Sequence, residues 1–148
     1  MSNLRFSVNG ESNSITQFVA KARHFKLVVD EPEGLGGTDE AANPAEYILA
    51  GLAGCINVVG HLVAKELGFV ISKLNIDVSG DINSDKLLGV SSHQRAGFKS
   101  IQINLIPETE ADIVTLSNWL KMVEARGPVK DNIRNETPVK FSVKKVYS

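Results

Sequence analysis

Polar and apolar residues alternate near both ends of the chain, and helical spacing replaces that alternation twice in between. Leu4, Phe6 and Val8 are separated by polar residues and followed by Asn9-Gly10, which predicts a strand and a hairpin turn. The run from Ile15 to Asp30 again reads as β: Phe25, Leu27 and Val29 share one face, Lys26 and Val28 the other, and Arg23 has the parity of Phe25. Proline and glycines defeat either period from Glu31 to Asp39, so that stretch is a loop and the most flexible-looking part of the chain.

Asn43-Pro44-Ala45-Glu46 has the form of a helix start, with Asn43 as cap, Pro44 in the first turn and Glu46 completing a capping box. The helix it opens is expected to run to about Leu67, with Gly68 just beyond. Leu74, Ile76 and Val78 predict a strand ending near Gly80, Asn83 to Ala96 a polar loop, and Phe98, Ile101, Ile103 and Leu105 another strand. Pro107 to Arg126 predicts an amphipathic helix with Ile113, Leu116, Leu120 and Val123 on one stripe, Trp119 beside it, and Gly127-Pro128 as its stop. Gly127 falls where a left-handed helix-ending residue is wanted. Val139, Phe141 and Val143 predict a closing strand with a lysine-rich outer face. The order β-β-(β)-α-β-β-α-β is an α+β pattern, read as a single domain over residues 1–148.

Composition narrows the partners. The 148 residues are 43% hydrophobic and carry a formal charge of −1, with mixed signs, so nucleic acid and anionic membrane surfaces are not expected. One cysteine cannot form an internal disulfide, and no secretory pattern is seen at Met1-Ser2-Asn3-Leu4-Arg5, so a cytoplasmic protein is expected. The apolar stretch from Tyr47 to Leu67 is interrupted by Asn57, His61, Lys65, Glu66 and three glycines, and is read as a buried helix that falls short of a membrane span.

No metal is expected, because His24, His61 and His93 are scattered without a second ligand at helical spacing. No catalytic serine motif or phosphate loop is present, and no cofactor is implied. Cys55 remains, inside Leu52-Ala53-Gly54-Cys55-Ile56. Free cysteine is among the most buried residue types, so packing alone is one reading. Arg23 supports another: on a strand face with Phe25, Leu27 and Val29 it needs an anion, and a thiolate would serve, unless the strand kinks near His24 and sends it to solvent. Glu46 lies nine residues before Cys55, about 900° of helical rotation, so the two face opposite ways within one chain; across a dimer interface they could still meet. The capping box also accounts for Glu46 by itself.

The motifs Asp30-Glu31-Pro32, Leu35-Gly36-Gly37-Thr38-Asp39, Asn43-Pro44-x-Glu46-Tyr47-Ile48-Leu49-Ala50-Gly51-Leu52-Ala53-Gly54-Cys55, Arg95-Ala96-Gly97-Phe98 and Pro128-Val129-x-Asp131-x-Ile133-Arg134-Asn135 with Thr137-Pro138-Val139 resemble the OsmC/organic hydroperoxide resistance family. The resemblance covers nearly the whole chain. It implies an intertwined homodimer with two antiparallel-type β-sheets wrapped around long central helices, and two active sites at the interface. It also implies a peroxidatic cysteine, here Cys55, activated by an arginine, here Arg23, attacking the O–O bond of an organic hydroperoxide. A second cysteine then resolves the sulfenic acid, and dihydrolipoyl-type or other thiols reduce the disulfide.

Two positions depart from that pattern. The second cysteine of such proteins opens Cys-Pro-Val-x-Asp, and here the sequence is Gly127-Pro128-Val129-Lys130-Asp131. The acid that follows Asn-Pro directly in one branch is replaced by Ala45, with Glu46 one place later. The expected activity is therefore a one-cysteine, thiol-dependent reduction of organic hydroperoxides, with an external thiol or redox protein completing the cycle. The alternatives are a non-catalytic dimer that binds a small hydrophobic ligand or senses oxidation, and a cysteine that only packs.

Overall fold

Asn43 and Pro44 start the longest element as the sequence predicts. In the computed structural model, which describes residues 2–147, helix α1 runs over Pro44–Leu67. The Asn43 backbone N–H donates to Glu46 Oε1 at 3.0 Å and the Glu46 N–H donates to Asn43 Oδ1 at 2.8 Å, a complete capping box. Before α1 come strands β1 (Asn9–Ser12), β2 (Phe18–Ala22) and β3 (Phe25–Val29); after it come β4 (Ile71–Ile82), β5 (Phe98–Thr109), α2 (Ile113–Arg126) and α3 (Pro128–Arg134). The fold is α+β with two antiparallel sheets, β1-β2-β3 and β4-β5. The chain forms two compact units, one ending at Gly51 and the other beginning at Leu52.

In the first unit, β2 and β3 pair from Phe18↔Val29 to Ala22↔Phe25, leaving Arg23-His24 as a two-residue turn. Arg23 adopts φ 56°, the left-handed conformation that hairpin turns of this length require. It therefore does not share a strand face with Phe25, as the alternation predicts; it is exposed at the turn. Ala20 is buried in this sheet, and Gly10 allows the close approach, since a Cβ there would run into the Val19 carbonyl. The Tyr47 hydroxyl, in the first turn of α1, donates to the Val28 carbonyl at 2.6 Å.

The loop after β3 is not loose. Asp30 is fully buried, and its carboxylate accepts from the hydroxyls of Thr38 (2.6 Å) and Thr16 (3.0 Å) and from the backbone N–H groups of Glu31 (2.8 Å) and Glu40 (3.2 Å). The Thr38 hydroxyl and the Glu31 N–H, helped by Glu40 and Thr16, hold this carboxyl well below the usual aspartate range, against the opposing effect of burial. The Glu31–Asp39 segment is thus tied at several points to one buried anion.

The second unit is organised by one stripe of α1. Leu52, Ile56, Val59, Val63 and Ala64 are buried together with Ile71, Trp119 and Val123. Each large aliphatic side chain so buried contributes about 1.5–3 kcal/mol relative to exposure. Leu74, Ile76 and Val78 of β4 and Ile101, Ile103 and Leu105 of β5 pack on this cluster, with the polar residues of both strands outside. The Trp119 indole N–H donates to the Gly60 carbonyl at 2.8 Å, and a Cβ on Gly60 would sit 3.2 Å from the Trp119 ring, so glycine permits that approach.

Four expectations are corrected here. By length and composition α1 does qualify as a candidate membrane span, with a mean hydropathy of 1.8; its buried stripe makes it the core helix of the second unit instead. Helix α2 starts at Ile113 and not at Pro107, because β5 continues through Pro107 opposite Leu74; proline is tolerated at the edge of a two-stranded sheet, and Asp112 supplies the cap by accepting from the Thr115 N–H. Asn9-Gly10 lies in β1, and the turn falls at Asn13-Ser14, where both N–H groups donate to the Gln17 carbonyl. The stretches predicted as strands from Leu4 to Val8 and around Val139 to Val143 form no strand within this chain: their alternating apolar side chains are exposed, Phe141 to 93%.

Candidate active site

Cys55 sits at the boundary between two sides of α1. At about 100° per residue, it falls between the buried stripe of Leu52, Ile56, Val59 and Val63 and an open side that carries Gly54, Val58 and Leu62. The thiol is partly buried and packs against the core. On the core side it borders a cavity of about 180 Å³ whose walls include Leu52, Ile103, Leu105 and Val123, with Glu124, Gly127 and Lys130 also lining it. On the open side nothing lies within 4 Å of a Cβ built on Gly54.

Gly127 lines the same cavity as the sulfur. A Cβ built there would lie 3.9 Å from Cys55 Sγ, 3.7 Å from Lys130 Cβ and 3.7 Å from the Val123 carbonyl oxygen, all ordinary contacts. Its φ is −74° and ψ 116°, so the left-handed helix ending that the sequence suggests does not occur. Gly127 instead links α2 directly to α3, with Pro128 in the first turn. The Gly-Pro signal reads equally as a stop and as a start, which is why α3 escapes the sequence pattern.

Lys130 and Glu124, which the sequence does not single out, are brought to the cavity by that short connection. The Lys130 ammonium donates to the Glu124 carbonyl oxygen at 3.1 Å. Among the described residues, its two other N–H donors are unengaged. Spacing alone gives no hint of this pairing, because six residues on one continuous helix do not face each other.

The remaining sequence candidates lie in the first unit. Arg23 stands at the β2–β3 turn with its guanidinium 4.9 Å from the centroid of the Phe25 ring, a cation–π contact that holds it at the exposed tip. Glu46 is exposed and has Oε1 committed to the capping box. Among the described residues, no group of three or more histidine, cysteine or acidic side chains is arranged to hold a metal ion.

These features define an α+β protein built around one apolar helix whose single thiol borders a small, mostly apolar cavity. The chain belongs to the OsmC-like protein family, whose model matches residues 37–142. An OsmC-like protein from Mycoplasma pneumoniae has a similar structure, with TM-score 0.78 at 18% identity over 90% of this chain and 89% of that one. An organic hydroperoxide resistance protein OsmC from Legionella pneumophila gives TM-score 0.65 at 16% identity over 90% and 92%. An organic hydroperoxide resistance protein from Elizabethkingia anophelis gives 0.66 at 17% identity over 90% of both chains. At these identities the likeness establishes the fold and leaves the chemistry to the residues. No curated protein matches the sequence.

Proposed function

We propose that the protein is a redox protein that reduces organic hydroperoxides through Cys55, with an external thiol completing each cycle. The observation that carries this reading is the position of Cys55, the one cysteine in the chain, on the wall of a cavity and beside an open helix face. The Cys55 thiolate attacks the terminal oxygen of the hydroperoxide, the O–O bond breaks, and an alkoxide leaves and takes a proton. Cys55 is left as a sulfenic acid, oxidised by two electrons. The guanidinium of Arg23 is the cation assigned to the thiolate and to the charge developing on the peroxide oxygens. Glu46 is assigned to the start of α1 and not to the chemistry, because the capping box uses its carboxylate.

The working form we propose is a homodimer of one-domain chains. Val58 and Leu62 are 57% and 50% exposed on the open side of α1, and the terminal segments expose Leu4, Phe6, Val8, Val139, Phe141 and Val143 in strand-like alternation. A second copy of the same chain meets both needs at once: it covers the helix face and supplies strand partners. A free, solitary thiol suits the reducing cytoplasm. The apolar cavity also favours a second reading, a non-catalytic dimer that binds a small hydrophobic ligand or takes up one oxidation equivalent.

Purified protein given cumene hydroperoxide and dithiothreitol should consume peroxide continuously, and Cys55→Ser should stop consumption. Wild type and Cys55→Ser equally inert with several reductants would remove the enzymatic reading and leave the second.

A further inference from the structure

Resting on the peroxide-reduction reading, we propose that the cavity between Cys55 and Gly127 is the docking site of the reductant, and that the reductant is a low-molecular-mass monothiol. The absent side chain at position 127 leaves room beside the sulfur, and that room is continuous with a cavity of about 180 Å³. This is the share of roughly six liquid waters at ~30 Å³ each. That volume accommodates a small thiol.

The stereochemistry of sulfur divides the site into two sides. Displacement at a sulfenyl sulfur is in line, so the incoming thiolate approaches opposite the S–O bond. A thiol arriving from Gly127 therefore needs the S–O bond turned, by rotation about Cβ–Sγ, toward the side of α1 that carries Gly54, which the second copy faces in the proposed dimer. Reductant and leaving oxygen use different faces of one sulfur.

Reduction then proceeds in two steps that balance. The monothiol's sulfur bonds to Cys55 Sγ as the S–O bond breaks, and the oxygen leaves as water, keeping the sulfenic acid's own proton and taking the one the thiol gives up. A second monothiol attacks the mixed disulfide at the reductant's sulfur, giving a free symmetrical disulfide and the Cys55 thiolate. Lys130 provides a cation beside the path of the incoming thiolate, and Glu124 on the same wall offsets part of that attraction.

The two half-reactions are separable in stopped-flow and intact-mass measurements. Cys55 is oxidised with one equivalent of cumene hydroperoxide, or of hydrogen peroxide should the organic peroxide not react, and then mixed with 2-mercaptoethanol. Gly127→Ala fits the backbone and places a methyl group against the sulfur, so it should slow the reduction at least tenfold more than the oxidation. Lys130→Met should slow reduction about threefold, and Glu124→Gln should speed it. Failure of cumene hydroperoxide to oxidise Cys55 would sink the function proposed above, while the hydrogen peroxide arm still tests the reductant site. Gly127→Ala that reduces at the wild-type rate, or that slows oxidation more than reduction, would overturn the site; the second result would give the cavity to the peroxide.

Discussion

A Cβ placed on Gly127 lies 3.9 Å from the sulfur of Cys55, and the backbone at Gly127 is one that any residue can adopt. Glycine is therefore not required there by conformation, and on the proposed chemistry a thiol at this position would be placed to resolve a Cys55 sulfenic acid. Gly127→Cys should restore an internal partner: after one equivalent of oxidant the variant loses both free thiols and gains a disulfide within the chain. Two titratable thiols persisting after oxidation would show that the geometry does not close, since a disulfide needs its Cβ atoms ~3.5–4.5 Å apart.

Arg23 pays for its place with backbone strain. A non-glycine residue at φ 56° costs on the order of 1 kcal/mol, and the two-residue β2–β3 turn imposes that conformation whatever the side chain. Arg23→Gly should raise thermal stability slightly, by up to about 1 kcal/mol, while slowing Cys55 oxidation by roughly tenfold or more, the scale of a lost charge-stabilising donor. An unchanged oxidation rate would remove Arg23 from the site.

Glu46→Gln separates capping from chemistry, because glutamine completes the same box. Thermal stability and peroxide consumption should both stay near wild type. Glu46→Ala should cost roughly 0.5–1 kcal/mol through the lost half of the box. A large loss of activity in Glu46→Gln with unchanged stability would return this carboxylate to the mechanism.

The buried Asp30 carboxylate makes the loop before α1 acid-sensitive. Its native pKa lies below that of an ordinary aspartate, near 3.9, so the unfolded chain binds more protons in that range. The stability it contributes is complete above about pH 4 and is lost as pH falls below it. Hydrogen-exchange protection across residues 31–42, taken relative to the intrinsic exchange rate at each pH, should fall on acidification below pH 4, and Asp30→Asn should show lower protection already at pH 7. Equal protection in the variant at neutral pH would contradict the tethering role.

Much of this architecture was legible from local chemistry. Asn43 and Glu46 announce α1, and the alternation of Leu74-Ile76-Val78 and Ile101-Ile103-Leu105 announces β4 and β5, because caps and half-buried strands leave periodic marks. Cys55 and the unusual Gly127 were also visible. What escaped depends on partners distant in sequence. Pro107 continues β5 because Leu74 stands opposite, Arg23 leaves the strand face because β2 pairs back on β3 two residues later, and Lys130 reaches the cavity because α3 starts where α2 stops. The terminal alternation signals strand potential, but a strand also needs a neighbour to hydrogen-bond, which a single chain does not give it.

The most direct test of the central claim is intact-mass analysis of the wild-type protein during stepwise addition of an organic hydroperoxide, with and without 2-mercaptoethanol. Hydroperoxide reduction through Cys55 should give one added oxygen on that residue, which the thiol removes through a mixed disulfide, accompanied by sustained peroxide loss. No mass change on Cys55 under excess hydroperoxide would contradict it.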